Sequence, residues 1–296
     1  LDIDSDTGIT IDTGNITAGI ITFEDTVTIA TASTIEATVG ALIFNSTITS
    51  SNASTDDLTL IGDTVELHGS IDLLQSLDVT GTNGITLEAA TITTADQILF
   101  NNAVTLLAAT DLGSADIEFA STLAGAFGVT AAGETITFAS TITDVTALQL
   151  TASTENRLEG SLVNVGSLTT IMNGGQTSIA GSNLEISSGL FGDAVVLETD
   201  VTIDGATSLQ FAKTLSSTPA GFDLTVTNAG TVQFDDTITN LQDLMVTATG
   251  TTTFSGDVSI SGTLDIDSDT GITIDTGNIT AGIITFEDTV TIATAS

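Results

Sequence analysis

Aspartates alternate at the start of the chain, Asp2, Asp4 and Asp6 in LDIDSDTG, and the same run returns as Asp265, Asp267 and Asp269. A D-x-D-x-D spacing is what a calcium loop uses to gather hard oxygen ligands. Here the glycine falls one place late and no bidentate glutamate follows at the required distance. The GGxGxD nonapeptide of calcium-binding β-rolls is absent as well. On a strand, successive side chains alternate between faces, so Leu1 and Ile3 turn inward and the three carboxylates turn to solvent. The main reading is therefore an acidic, solvated face. Weak Ca²⁺ binding that bridges neighbouring molecules is the alternative, and no cofactor is required.

The other reactive side chains are sparse. His68, in VELHGSI, is the only imidazole and the chain has no cysteine, so neither a zinc site nor a Ser-His-Asp triad can be assembled with any specificity. An exposed structural position is expected for it. The pairs Asp56-Asp57 and Asp235-Asp236 suggest the two carboxylates of a polysaccharide hydrolase. Consecutive strand residues face opposite ways, however, so adjacency alone supplies no such pair. The only bases, Arg157 and Lys213, lie 56 residues apart and read as isolated surface charges. No catalytic residue is assigned, and the chain is expected not to be an enzyme.

Two further patterns concern surfaces. Thr-x-Thr pairs (Thr26/Thr28, Thr47/Thr49, Thr141/Thr143, Thr237/Thr239) resemble those of ice-binding solenoids, but the same offsets read Ser70/Asp72, Ala103/Thr105 and Thr122/Ala124 between them. That array is too broken to match a lattice. Asn15, Asn45, Asn52 and Asn278 each open an Asn-x-Ser/Thr sequon, a type of match that arises easily in a chain this rich in Thr and Ser.

The composition narrows the class. Two bases against 38 acids give a net charge of -36, a surface that repels nucleic acid, anionic lipid and acidic polysaccharide. Hydrophobic residues nonetheless make up 41% and the mean hydropathy is +0.41, enough apolar side chain to build a core. They come in short runs such as LIF at 42–44, far from the roughly 20 needed to span a bilayer. Such acidity is best tolerated where salt is high, because seawater-like ionic strength cuts the screening length to roughly 4 Å. A marine or otherwise saline exterior is the expected setting.

Organisation is repetitive at two levels. Residues 1–33 recur without a change as 264–296, so 1–263 is one full period of a tandem array and 264–296 the start of the next. Inside the period an older unit recurs: apolar-x-Phe, then an apolar residue four places on, as in ITFEDTVTI around Phe23. The same slot holds Phe44, Phe100, Phe119, Phe138, Phe211, Phe234, Phe254 and Phe286, nine of the twelve phenylalanines. Leu67, Leu158 and Leu197 stand in for Phe in three more copies. Spacings of 21, 19, 19, 20, 23 and 20 residues between copies centre on about 20, while several gaps are longer, such as Leu67 to Phe100 and Phe254 to Phe286, which contain the additional strand-like pieces ITLEAATITTADQ and ITIDTGNITAGI.

Apolar residues alternate with Thr, Asp, Ser or Gln over four to six positions, β-branched residues abound, and no stretch sustains helical spacing. Three short strands per turn of about 20 residues predict an all-β chain, a parallel β-helix (β-solenoid) of roughly 13 coils per period. Its coils would stack at about 4.8 Å, with the recurring Phe forming one aromatic ladder along one inner face and about 60 Å of rod per period. Proline cannot donate to such ladders, and Pro219, the only one, is placed in a loop.

These loosely similar, Thr- and Gly-rich coils resemble large repetitive secreted surface proteins of the filamentous-haemagglutinin and autotransporter-passenger type. The resemblance implies a right-handed β-helical shaft displayed outside the cell, with adhesive or anchoring modules elsewhere. The expected role is that of a rigid, acidic, protease-resistant spacer in an extracellular or cell-surface filament. Its partners would be further copies of its own repeat, in tandem and side by side, with neither nucleic acid nor membrane insertion. The alternatives are an adhesin carrying a ligand or Ca²⁺ site in every period, a β-helical polysaccharide-degrading enzyme, or an ice-binding solenoid.

Overall fold

The structure, a computed structural model, describes residues 1–52, 55–219 and 221–293; residues 294–296 of the second repeat copy fall outside it. It is an all-β parallel β-solenoid of about 14 turns of about 20 residues, with no helix among the described residues. The turns divide into two compact units, Leu1–Thr146 and Ala147–Ser296. Each turn lays down three short strands, and each strand pairs in parallel with the one a turn later. The alternation of apolar and polar residues turns Val, Ile, Leu and Phe inward and leaves Thr, Asp and Ser outside.

In the first unit three inner ladders can be followed. One runs Ile21, Leu42, Val65, Ile85, Val104, Leu123 and Ile142, with Phe23, Phe44, Leu67, Leu87 and Leu106 stacked two residues along. A second runs Ile9, Val27, Ile48, Ile71, Ile92, Leu112 and Ala131. The third runs Ile16, Ile35, Leu60 and Val79 and then becomes aromatic at Phe100, Phe119 and Phe138. In the second unit one ladder passes from Leu150 and Thr170 through Phe191, Phe211, Phe234 and Phe254 to Ile274 and Ile292. Ring centroids along these stacks lie 4.8 to 5.2 Å apart.

The phenylalanines therefore do not share one face. Within the first unit Phe23 and Phe44 occupy one ladder and Phe100 to Phe138 another. In the second unit Phe286 lies over Ile266, away from Phe254. The long gaps have the same explanation. Leu87 covers Leu67 and Ile274 covers Phe254, so the two additional pieces are ordinary turns whose slot holds an aliphatic residue. Leu197 likewise stacks on Ile179, whereas Phe191, outside the motif, joins the aromatic ladder. The reason is local: most inner strands read apolar-x-apolar before a corner, so the nonapeptide marks a strand end without specifying which of the three faces carries it.

Corners have their own chemistry. Four of them share one form, in which two strand residues precede a residue of positive φ and then a fully buried apolar one. These are Leu73 before Leu74, Asp144 before Val145, Asn164 before Val165 and Asn240 before Leu241. Asp and Asn tolerate the left-handed conformation, whereas leucine does so at a cost. Other corners demand glycine through close approach: a Cβ on Gly69 would sit 2.2 Å from the Ser46 carbonyl group, and one on Gly256 would sit 2.1 Å from that of Asp236. Pro219 follows a cis bond from Thr218, in the loop between the strands Leu215–Ser217 and Leu224–Ala229.

Candidate functional site

The repeated aspartates sit on outward positions of the turns that begin each repeat copy. Asp2 pairs with Thr22, and its copy Asp265 lies between Met245 and Thr285. Asp2, Asp4, Asp6 and Asp269 are exposed, while Asp265 and Asp267 are half-buried because strand Leu244–Ala248 lies beneath them. Both copies repeat one contact: the backbone N–H of Ser5 donates to Asp25 Oδ2 at 2.7 Å, and that of Ser268 donates to Asp288 Oδ2 at 2.9 Å. A hydrogen bond with Asp25 raises the Asp4 carboxyl above the usual range, and desolvation followed by Asp288 does the same for Asp267. Asp265 Oδ1 is buried without a hydrogen-bond partner. Among the described residues no three His, Cys, Asp or Glu side chains converge as a metal site.

The lone histidine is not simply exposed. His68 is half-buried between two glutamates, with Nδ1 2.6 Å from Glu88 Oε2 and Nε2 3.5 Å from Glu66 Oε2. Arg157 is not isolated either. Its NH1 and NH2 each donate to Glu198 at 2.8 Å, its Nε donates to Glu159 at 2.7 Å, and Glu155 lies 3.8 Å away. These bonds raise its pKa still further, so the guanidinium is a permanent staple over three acids. Lys213 is exposed and forms no ion pair among the described residues. It edges a cleft of about 400 Å³ lined by Ile171, Met172, Leu190 and Ala212.

The adjacent carboxylate pairs separate as strand geometry requires. Asp56 is buried and accepts bonds from Ser50 Oγ at 2.6 Å and the Asn52 N–H at 3.1 Å, while Asp57 is exposed. Asp235 accepts from Gln210 Nε2 at 2.6 Å, and Asp236 bonds the Thr237 N–H, so the structure does not bring that pair together over a cleft. Among the threonines, Thr28 stacks on Thr49, but Thr49 then donates to Asp72 at 2.6 Å, which ends the run. Asn45 is exposed and donates to Glu24 at 2.7 Å.

The sequence reading missed two features. Acids are held mainly by neutral donors one turn later: Asn83 on Asp63, Asn101 on Asp78, Thr135 on Asp116, Gln176 on Glu155 and Thr227 on Asp204. The signal for these pairs was an amide or hydroxyl about 20 residues after an acid. The second feature is a polar pocket inside the core of the second unit. There Asp193, 1% exposed, accepts from the Asn173 N–H and from Asn156 Nδ2, both at 3.3 Å, and Thr170 Oγ1 accepts the Gly192 N–H at 3.1 Å. Burial drives the Asp193 carboxyl above the ordinary aspartate value, and Asn156 Oδ1 and Thr177 Oγ1 find no partner. No motif announces this pocket, because Asn156, Thr170 and Thr177 occupy inward strand positions of the kind that elsewhere hold apolar side chains, and Asp193 lies in the bend before strand Ala194–Leu197.

The fold and these surfaces define a β-solenoid. Comparison of the chain with protein-family models, curated proteins and solved structures found no match.

Proposed function

We propose that this chain is a segment of the shaft of a giant extracellular or cell-surface filament, acting by length, stiffness and charge and carrying out no catalysis. The observation that carries the reading is the parallel register itself. Ladder after ladder continues turn by turn within each unit, and the turn at 264–280 seats on Leu244–Ala248, Thr252–Phe254 and Val258–Ser259 in the same parallel register. Continuous hydrogen bonding between turns resists bending, and the acidic coat keeps neighbouring shafts apart. The test is cryo-electron microscopy of chains with one, two and three periods. Rods with a 4.8 Å axial repeat that lengthen by about 60 Å per period support the shaft. Compact particles whose length ignores the number of periods overturn it.

A second reading, an adhesin with a site in every period, draws on the cleft at Ile171, Met172 and Leu190 beside Lys213, an apolar patch with a cation on a chain of charge -36. Replacing Met172 and Lys213 together should abolish attachment of the native filament to its surface if this cleft is the ligand site. Unchanged attachment leaves the shaft reading alone in the field.

A further inference from the structure

The buried pocket of the second unit interrupts the apolar ladders beside one corner. Asn156 and Thr177 are register partners on successive turns, and the same ladder continues as Val195, Leu215, Ile238 and Val258. In the neighbouring ladder Thr170 lies between Leu150 and Phe191. Apolar side chains fill the equivalent slots on later turns, so the fold itself does not require polar atoms here. Asn156 Oδ1 and Thr177 Oγ1 are nonetheless buried without a hydrogen-bond partner, on residues that are 0% exposed, and a buried acceptor left unmet destabilises the folded state. Asp193 adds a buried carboxylate that takes part in no ion pair among the described residues. Its hydrogen bonds from the Asn173 N–H and Asn156 Nδ2 are both 3.3 Å, longer than the roughly 2.9 Å of an ordinary N–H···O bond. An ionised carboxylate only accepts, so it holds Asn156 with Nδ2 towards itself and leaves Oδ1 an acceptor in need of a donor or a cation. Thr170 Oγ1 accepts the N–H groups of Gly192 and Asp193 at 3.1 and 3.5 Å, which fixes the bend that carries the carboxylate.

We propose that this pocket is a binding site for one monovalent cation, with the Asp193 carboxylate, Asn156 Oδ1 and Thr177 Oγ1 as its protein ligands. All three are hard oxygen donors with no nitrogen or sulfur among them, a set that suits alkali and alkaline-earth ions rather than transition metals. Charge selects the valence. One carboxylate balances one sodium ion, whereas a divalent ion would leave a net positive charge among apolar ladders. Thr170 and Gly192 also line the outward cleft at Ile171 and Met172, which gives the ion a route in when this corner opens. Asn156, Thr177 and Asp193 belong to three successive turns, so a single ion ties those turns together from inside. The site does not depend on the shaft reading.

The experiment is amide hydrogen exchange of the 296-residue chain at pH 7 and a constant ionic strength of about 0.5 M, with choline chloride replaced stepwise by NaCl. Constant ionic strength removes the effect of screening on the acidic coat. The N–H groups of Asn173, Gly192 and Asp193 should gain protection, by about tenfold for each tenfold rise in sodium above the dissociation constant. Those of Asn101 and Ala120 in the first unit, bonded to the turn before them at 3.0 Å, should not change. Asp193→Asn should abolish the response. Thr177→Val, which keeps the shape of the side chain and so the fold, should move it to at least tenfold higher sodium. Sodium offsets the buried charge in the parent alone, so it also narrows the advantage in stability that Asp193→Asn holds over the parent at pH 7 in choline. Equal protection in both salts, the result if water alone meets these polar atoms, overturns the proposal. So does protection that rises alike in both units, a sodium response that survives Asp193→Asn, or a response to millimolar CaCl₂ with none to sodium.

Discussion

Leu73 is the residue most at odds with its own backbone. It holds φ at 58° where Asp144, Asn164 and Asn240 hold the same conformation at φ 59°, 54° and 63°, and its side chain is 56% exposed. Left-handed geometry costs an ordinary L-residue about 1–2 kcal/mol, and asparagine escapes most of that. Leu73→Asn should therefore stabilise the protein by about 1 kcal/mol, and Asn164→Leu should destabilise it by a similar amount, both read from the midpoint of urea unfolding. Asp193 makes the complementary case for charge. Burial raises its folded pKa, so the native state holds this proton more readily than the unfolded chain does. The stability it contributes is present below the unfolded value near 4 and is lost as pH rises through the raised folded value. Asp193→Asn keeps an acceptor for the Asn173 N–H, so it should raise stability at pH 7, lose that advantage at pH 3 and flatten the slope between. A variant less stable than the parent at pH 7 would show that the carboxylate is better solvated than its 1% exposure implies.

At the scale of the element, the ladder decides what a side chain is worth. Phe234 stacks between Phe211 and Phe254 at 5.2 Å on either side and is 1% exposed, so Phe234→Ala should cost about 3–5 kcal/mol. Phe286, in the same nonapeptide, is half-buried and among the described residues has Ile266 as its one ladder partner, so its truncation should cost markedly less. Equal losses in calorimetric unfolding of the two variants would mean that the turn at 283–292 is covered in solution. This contrast also shows what was legible in the sequence. Strand, alternation and turn length could be read from ITFEDTVTI and its relatives, because period-two burial and a 20-residue return leave direct marks on composition. Which face a strand joins left no mark, since Phe44 and Phe100 have the same local pattern and differ only in how many corners precede them. Likewise the buried pocket of Asn156, Thr170, Thr177 and Asp193 was hidden. Its residues are ordinary strand and loop types, and only the closing of the turns makes them interior.

For the whole molecule, 38 acids against two bases make repulsion the dominant long-range electrostatic effect, and the two kinds of local contact respond to salt in opposite ways. The Arg157 staple is attractive and weakens with screening, so Arg157→Gln should cost about 1–2 kcal/mol at low salt, with a smaller penalty at high salt. The remaining acids, held by Asn, Gln, Thr and backbone donors that carry no charge, still repel one another. Folding gathers them at the spacing of stacked strands, about 4.8 Å, whereas unfolding disperses them. Raising NaCl from about 0.02 to about 0.5 M shortens the screening length from about 20 to about 4 Å, below the distance between adjacent turns. One attractive staple cannot offset relief along every acidic ladder, so the thermal midpoint should rise steadily with NaCl and rise further on mild acidification as carboxylates such as Asp4 and Asp267 take up protons above their usual pKa. In Arg157→Gln the same salt series should give a steeper rise, because the term of opposite sign has been removed. A midpoint that falls with salt in the parent protein would mean that attractive pairs outweigh repulsion despite the charge of -36, and that the acidic coat is neutralised by something the protein carries with it.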